Sequence, residues 1–240
     1  MRQITTVLLL PFTLLLTGCA AQPAANSSAA PPAEAPPWYE GEIAAFEASD
    51  AGAMPPAGEV LFIGSSSIRM WASLADDMAP LTVINRGFGG SKTREVLAVA
   101  DRVVFPYEPS VIVYYCGDND LGTDNTDSAA AAAGFTEFAD LVHERLPGTK
   151  VLYLSIKPSL ARWSNWAAMR EANRLVREYC RTHDDVEYID VAKPLLGPDG
   201  TPDPSLFRDD GLHLNAEGYA RWKLVVRPRV FAAWRAWRLG

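Results

Sequence analysis

The chain has 240 residues, 48% hydrophobic and 21% charged, a balance that fits a globular protein and excludes a disordered one. Its 22 Lys and Arg stand against 29 Asp and Glu, for a formal net charge of -7, and no dense basic run occurs. The electrostatic footprint of a nucleic-acid binder is therefore missing, and no nucleic-acid partner is expected.

In chain order, residues 1–18 read as a bacterial lipoprotein signal peptide. Arg2 supplies a positive charge, and residues 7–16 form an apolar run interrupted by Pro11, too short to span a bilayer comfortably. The run closes on Leu16-Thr17-Gly18-Cys19, which resembles the cleavage and lipidation box of bacterial lipoproteins. That resemblance implies that Cys19 becomes the first mature residue and carries the lipid. The expectation is an exported protein of the cell envelope, membrane-anchored and facing the periplasm, with no spanning helix. Residues 19–37, the lipidated Cys and an Ala/Pro-rich stretch, have little to bury and read as a flexible tether. Residues 38–240 then suffice for one well-cored domain.

Within that domain, apolar runs alternate with amphipathic stretches. Residues 60–63, 82–85, 111–115, 151–156 and 186–190 read as strands, rich in β-branched and aromatic side chains and mostly without polar alternation. Helical patterns cover about 38–51, 68–78, 93–105, 128–146 and 165–182. A last helix spans about 215–237, broken or kinked near Pro228. Such alternation predicts an α/β fold, a parallel sheet with helices on both faces, and a site at the carboxyl ends of the strands. Cys116 and Cys180 fall in a strand end and a helix and read as buried free thiols, with a disulfide as the alternative.

Four segments lie where a site belongs. Gly64-Ser65-Ser66-Ser67 follows the first strand, where a turn into a helix exposes a hydroxyl, although helix-start serines are commonly caps. Asn85-Arg86-Gly87-Phe88-Gly89-Gly90-Ser91 follows the second strand, and its glycines let a backbone N–H approach a ligand, or simply make a turn. Gly117-Asp118-Asn119-Asp120 follows the third strand. Its amide can donate into the same crevice, while Asp118 and Asp120 read as solvated carboxylates rather than a cation site. Asp210 and His213 precede the last helix, three residues apart, so one turn can set the carboxylate beside the imidazole. His143 and His183 lie among charged residues and read as surface groups.

Together the four blocks resemble the SGNH hydrolase superfamily, the GDSL-type esterases and lipases. In that family Ser, Gly, Asn and His come from separate blocks in this order. The resemblance implies a three-layer α/β/α sandwich with a five-stranded parallel sheet, flavodoxin-like in topology. It implies Ser66 as nucleophile, His213 as its base and Asp210 as the acid that orients the base. The oxyanion would be met by the N–H groups of Ser66 and Gly90 and the side chain of Asn119. One departure stands out: the family's Asp before the nucleophile is Ser65 here, so the choice among Ser65, Ser66 and Ser67 rests on the alignment. No metal or cofactor is implied.

The expected reaction is hydrolysis of carboxylic esters, short-acyl or carbohydrate acetyl esters foremost, through an acyl-enzyme on Ser66. An acyltransferase on the same fold and a catalytically inactive envelope-binding lipoprotein are the alternatives. Arg162 and Trp163, in the loop after the fourth strand, are candidate contacts for a small-molecule or carbohydrate ester, while Trp166 reads as packing the following helix onto the core.

Overall fold

The structure is a computed structural model that describes residues 35–123 and 127–239. The expected signal peptide, Cys19 and the expected tether up to residue 34 lie outside the described residues. Helix α1 (Glu40–Gly52) precedes strand β1 (Val60–Gly64), which is followed by α2 (Ser66–Arg69), α3 (Leu74–Met78) and β2 (Val83–Gly87). Next come α4 (Thr93–Ala98), α5 (Ala100–Val103), β3 (Val111–Tyr115), α6 (Asp118–Thr123) and α7 (Ser128–Arg145). Strand β4 (Lys150–Leu154), α8 (Trp166–Cys180), β5 (Val186–Ile189) and α9 (Ala216–Leu239) complete the chain.

The strands form one parallel sheet in the order β2-β1-β3-β4-β5. Alternate side chains of each strand feed two separate cores, as expected for a sheet covered on both faces. Leu61, Ile63, Ile112, Tyr114, Val151 and Tyr153 pack with residues of α4, α7 and α8, among them Val96, Phe135, Phe138 and Val176. Val60, Phe62, Val113, Tyr115 and Leu154 pack instead with Trp71 and with Tyr219, Trp222 and Val226 of α9. The result is the three-layer α/β/α sandwich expected. Because β2 and β3 flank β1 on opposite sides, the chain reverses its winding there and leaves a crevice at the strands' carboxyl ends.

Three helices differ from the sequence pattern. Residues 68–78 form two short helices, because Trp71 Nε1 and Ser73 Oγ donate to Asp77 Oδ2 at 2.7 and 2.6 Å. Lys223 of α9 adds an ion pair at 2.9 Å, so a tertiary polar knot holds the break. Residues 93–105 divide at Val99 into α4 and α5 before a 3-10 turn at Phe105–Tyr107. Helix α9 is not broken at Pro228 and runs through it to Leu239. Pro228 leaves the carbonyl four residues back without its helical donor, but that residue, Leu224, lies on an exposed face where water can take the bond. Cys116 and Cys180 are both free thiols, the first buried and the second partly so, and burial pushes both up.

Gly64 is the residue on which the crevice depends. It sits at φ +137°, and an added Cβ would lie 1.8 Å from the carbonyl oxygen of Tyr115 on the neighbouring strand. Backbone cannot yield there without parting β1 from β3. Gly64→Ala is therefore expected to cost at least about 3 kcal/mol of stability or to prevent folding. A thermal melt matching the parent protein would contradict this.

Candidate active site

Beyond Gly64 the chain turns sharply, with the Ser65 N–H donating to the Tyr115 carbonyl at 2.9 Å. Ser66 opens α2, so its N–H has no partner within the helix. Of the three consecutive serines, Ser65 is 0% and Ser67 2% exposed, whereas Ser66 is half-buried and presents its Oγ 3.0 Å from His213 Nε2. The Ser65 hydroxyl is enclosed and has no hydrogen-bond partner among the described residues. Removing a buried hydroxyl without a partner leaves no group unsatisfied, so Ser65→Ala should leave stability within about 1 kcal/mol of the parent, or raise it. Its ester turnover should stay within a few-fold, and a loss as deep as that of Ser66→Ala would assign Ser65 a direct part.

His213 is fixed by the turn that leads into α9. Gly211 takes φ +62° and Phe207 bridges to Leu214. The Arg208 N–H donates to the His213 carbonyl at 2.8 Å, and Asn215 ties the turn down through Ser205 and Phe207 carbonyls. Asp210 Oδ1 accepts the N–H groups of Leu212 and His213, both at 2.9 Å, while Oδ2 lies 2.6 Å from His213 Nδ1. Partial burial alone would raise the Asp210 carboxyl. The hydrogen bonds from the His213 side chain and from the two backbone N–H groups outweigh it and hold the group well below the usual carboxylate range. An ionised Asp210 accepts from Nδ1–H, which leaves Nε2 as the acceptor facing Ser66.

Gly90 and Asn119 follow β2 and β3, the two strands that flank β1. Gly90 is exposed and left-handed at φ +71°. Asn119 Nδ2 donates to the Ser91 carbonyl at 2.9 Å, and its Oδ1 accepts from Arg162 Nη2 at 3.0 Å. That second bond settles which end of the amide is oxygen, because a guanidinium can only donate. Asp120 accepts from the Thr93 N–H at 3.1 Å and its hydroxyl at 2.7 Å, joining this loop to the start of α4.

Beneath Asn119 lies a charge cluster that the sequence pattern does not reveal. Lys157 is 1% exposed and pairs with Asp118 Oδ2 at 3.2 Å, while Arg162 approaches the same oxygen at 3.6 Å and donates to the Asp118 carbonyl at 2.8 Å. Burial would raise the Asp118 carboxyl, but the Lys157 and Arg162 charges prevail and lower it, so it stays ionised. Asp118 is thus buried and ion-paired, and Asp120 buried and hydrogen-bonded to Thr93, contrary to their reading as solvated carboxylates. Arg162, with a side chain 12% exposed, is bonded to Asp118 and Asn119 within the protein. Trp163 is half-buried and stacks on Trp166, and Trp166 packs beside Met169 and Ile156. Trp38, read only as the start of a helix, stands at the rim beside Gly90. Among the described residues no group of three or more His, Cys, Asp and Glu is placed to hold a metal ion.

A parallel α/β sandwich with Ser, His and Asp in hydrogen-bonding sequence at its switch point defines a serine hydrolase. The chain belongs to the GDSL-like lipase/acylhydrolase family, whose model matches residues 59–221, and so to the SGNH hydrolases. Solved structures agree in fold. A protein from Streptococcus pneumonia superposes with a TM-score of 0.71 at 22% identity, over 80% of this chain and 92% of that one. A GDSL-like lipase from Bacteroides thetaiotaomicron gives 0.68 at 19% identity, over 80% and 98%. An acetyl-xylooligosaccharide esterase from Geobacillus Stearmophilus gives 0.57 at 14% identity, over 71% and 93%. A search of curated proteins gives no match.

Proposed function

We propose that the protein hydrolyses short-acyl or carbohydrate acetyl esters through an acyl-enzyme on Ser66. The observation that carries this reading is the chain of contacts Ser66–His213–Asp210, at 3.0 and 2.6 Å, on the only accessible member of the serine triplet. His213 Nε2 takes the Ser66 proton as Oγ attacks the ester carbonyl, and Asp210 stabilises the imidazolium that forms. The carbonyl oxygen becomes an oxyanion facing the N–H groups of Ser66 and Gly90 and the amide of Asn119. Collapse expels the alcohol, which receives the proton from His213. Water then repeats the attack on the acyl-enzyme with the same base, and the acid leaves.

Support for acetyl and carbohydrate esters comes from structural neighbours that include an acetyl-xylooligosaccharide esterase and a carbohydrate esterase family 3 member from Talaromyces cellulolyticus, both alike in fold. We further infer that Cys19 carries a lipid anchor in the cell envelope, on the strength of the Leu-Thr-Gly-Cys box alone. No described helix is long and apolar enough to cross a membrane.

The test is hydrolysis of nitrophenyl acetate, butyrate and octanoate by the purified chain at pH 8. Turnover is expected, falling from the shorter to the longer acyl group. A folded protein inert towards all three would sink the esterase reading.

A further inference from the structure

Trp38 is 60% exposed, yet it is held in place rather than left to swing. Its Nε1 donates to Glu95 Oε1 at 3.0 Å, and its ring meets Tyr39 edge-on at 5.4 Å between centroids. Glu95 is itself fixed, since its other carboxylate oxygen accepts the Lys92 N–H at 2.9 Å. The far edge of the indole comes within 3.2 Å of the position a Cβ would take on Gly90. A large apolar surface left in water is unfavourable, and here it is pinned beside one of the groups that would meet the oxyanion. A side chain at position 90 would be strained by the backbone's φ of +71° and would press on the indole.

The surroundings decide what such a plate can hold. Charged side chains lie close by: Glu95 is bonded to the indole, and Glu42, paired with Arg69, accepts at 3.1 Å the N–H of Gly89, the residue before Gly90. A long acyl chain needs a continuous apolar channel, whereas the plate is one aromatic side chain wide. A pyranose ring matches it, with apolar C–H faces to lie on an indole and hydroxyls at its edge for carboxylate and guanidinium groups.

We propose that Trp38 is a specificity-determining residue: a stacking platform that seats the sugar ring of a carbohydrate ester, with the acyl carbonyl directed to Ser66. The proposal rests on the esterase reading above and names the alcohol side of its substrate. Glu95 then acts as a positioning residue, keeping the indole beside Gly90.

The test compares an acetylated methyl glucopyranoside with ethyl acetate, which has no ring, by acid release in a pH-stat. Parent protein, Trp38→Ala and Trp38→Phe are measured on both, and on nitrophenyl octanoate. Trp38→Ala should lower the ratio of kcat/KM on the sugar ester to that on ethyl acetate about tenfold, mainly through KM. Trp38→Phe should recover most of it, because a smaller ring still stacks. A ratio unchanged in Trp38→Ala, or a loss equal on both esters, overturns the platform while leaving the esterase standing. A selective loss on nitrophenyl octanoate instead would assign Trp38 to an acyl chain and likewise overturn it. If the folded parent protein hydrolyses neither ester, the esterase reading falls and takes the platform with it.

Discussion

Ser66→Ala is expected to fold normally and to lose ester turnover by about 10^4-fold or more in kcat. The substitution removes one oxygen atom from a half-buried position whose neighbours Ser65 and Ser67 remain enclosed. No packing is lost that the parent needs, so the thermal midpoint should scarcely move. Neither neighbour can substitute: the Ser65 hydroxyl is sealed in the core without a partner, and Ser67 is buried beneath α9, where its carbonyl accepts from the Tyr219 hydroxyl at 2.9 Å. Steady-state assays on nitrophenyl acetate read the result. Residual turnover within about tenfold of the parent would place the nucleophile elsewhere.

Asp210→Asn is expected to lower kcat on the order of 10^3 to 10^4-fold with little change in KM. The Asn oxygen can still accept the Leu212 and His213 N–H groups, so the turn survives. Its NH2 group then faces Nδ1, which must become the acceptor, and the proton moves to Nε2, the atom that should receive the Ser66 proton. The same substitution has a stability signature with a definite sign. Asp210 is held below the usual carboxylate range in the folded protein, so its ionisation stabilises the fold above the unfolded carboxyl's pKa. That contribution fades as pH falls through the folded value. The parent should therefore melt above Asp210→Asn at neutral pH, and the gap should close in acid. A gap that widened as pH fell would contradict the hydrogen-bonding described.

The sheet was legible because its strands are buried on both faces and so appear as short uninterrupted apolar runs, of which Val111–Tyr115 is the plainest. The blocks holding Ser66, Gly90, Asn119, Asp210 and His213 were legible because each hangs from a strand end or precedes α9; the structure joins Ser66, His213 and Asp210 by hydrogen bonds and ties Asn119 to the Ser91 carbonyl, next to Gly90. What escaped was non-local. No helix was expected directly after the third strand, but residues 118–123 fold as α6, where Lys157 and Arg162, some forty positions away, neutralise Asp118 and hold its carbonyl. The bonds of Arg162 to Asp118 and Asn119 likewise join residues more than forty positions apart. Trp38 gave no signal at all, since its contact with Gly90 joins the start of the domain to a loop fifty residues on. The break at residues 70–73 likewise depends on Lys223 of α9.

Reaction of the whole protein with a fluorophosphonate, which forms a stable adduct with an activated serine, tests most directly whether Ser66 is the nucleophile, with peptide mass spectrometry as the readout. One adduct is expected, on Ser66, absent from Ser66→Ala and strongly slowed in His213→Ala. An adduct on Ser65 or Ser67, or a folded protein that is not labelled at all, would contradict it.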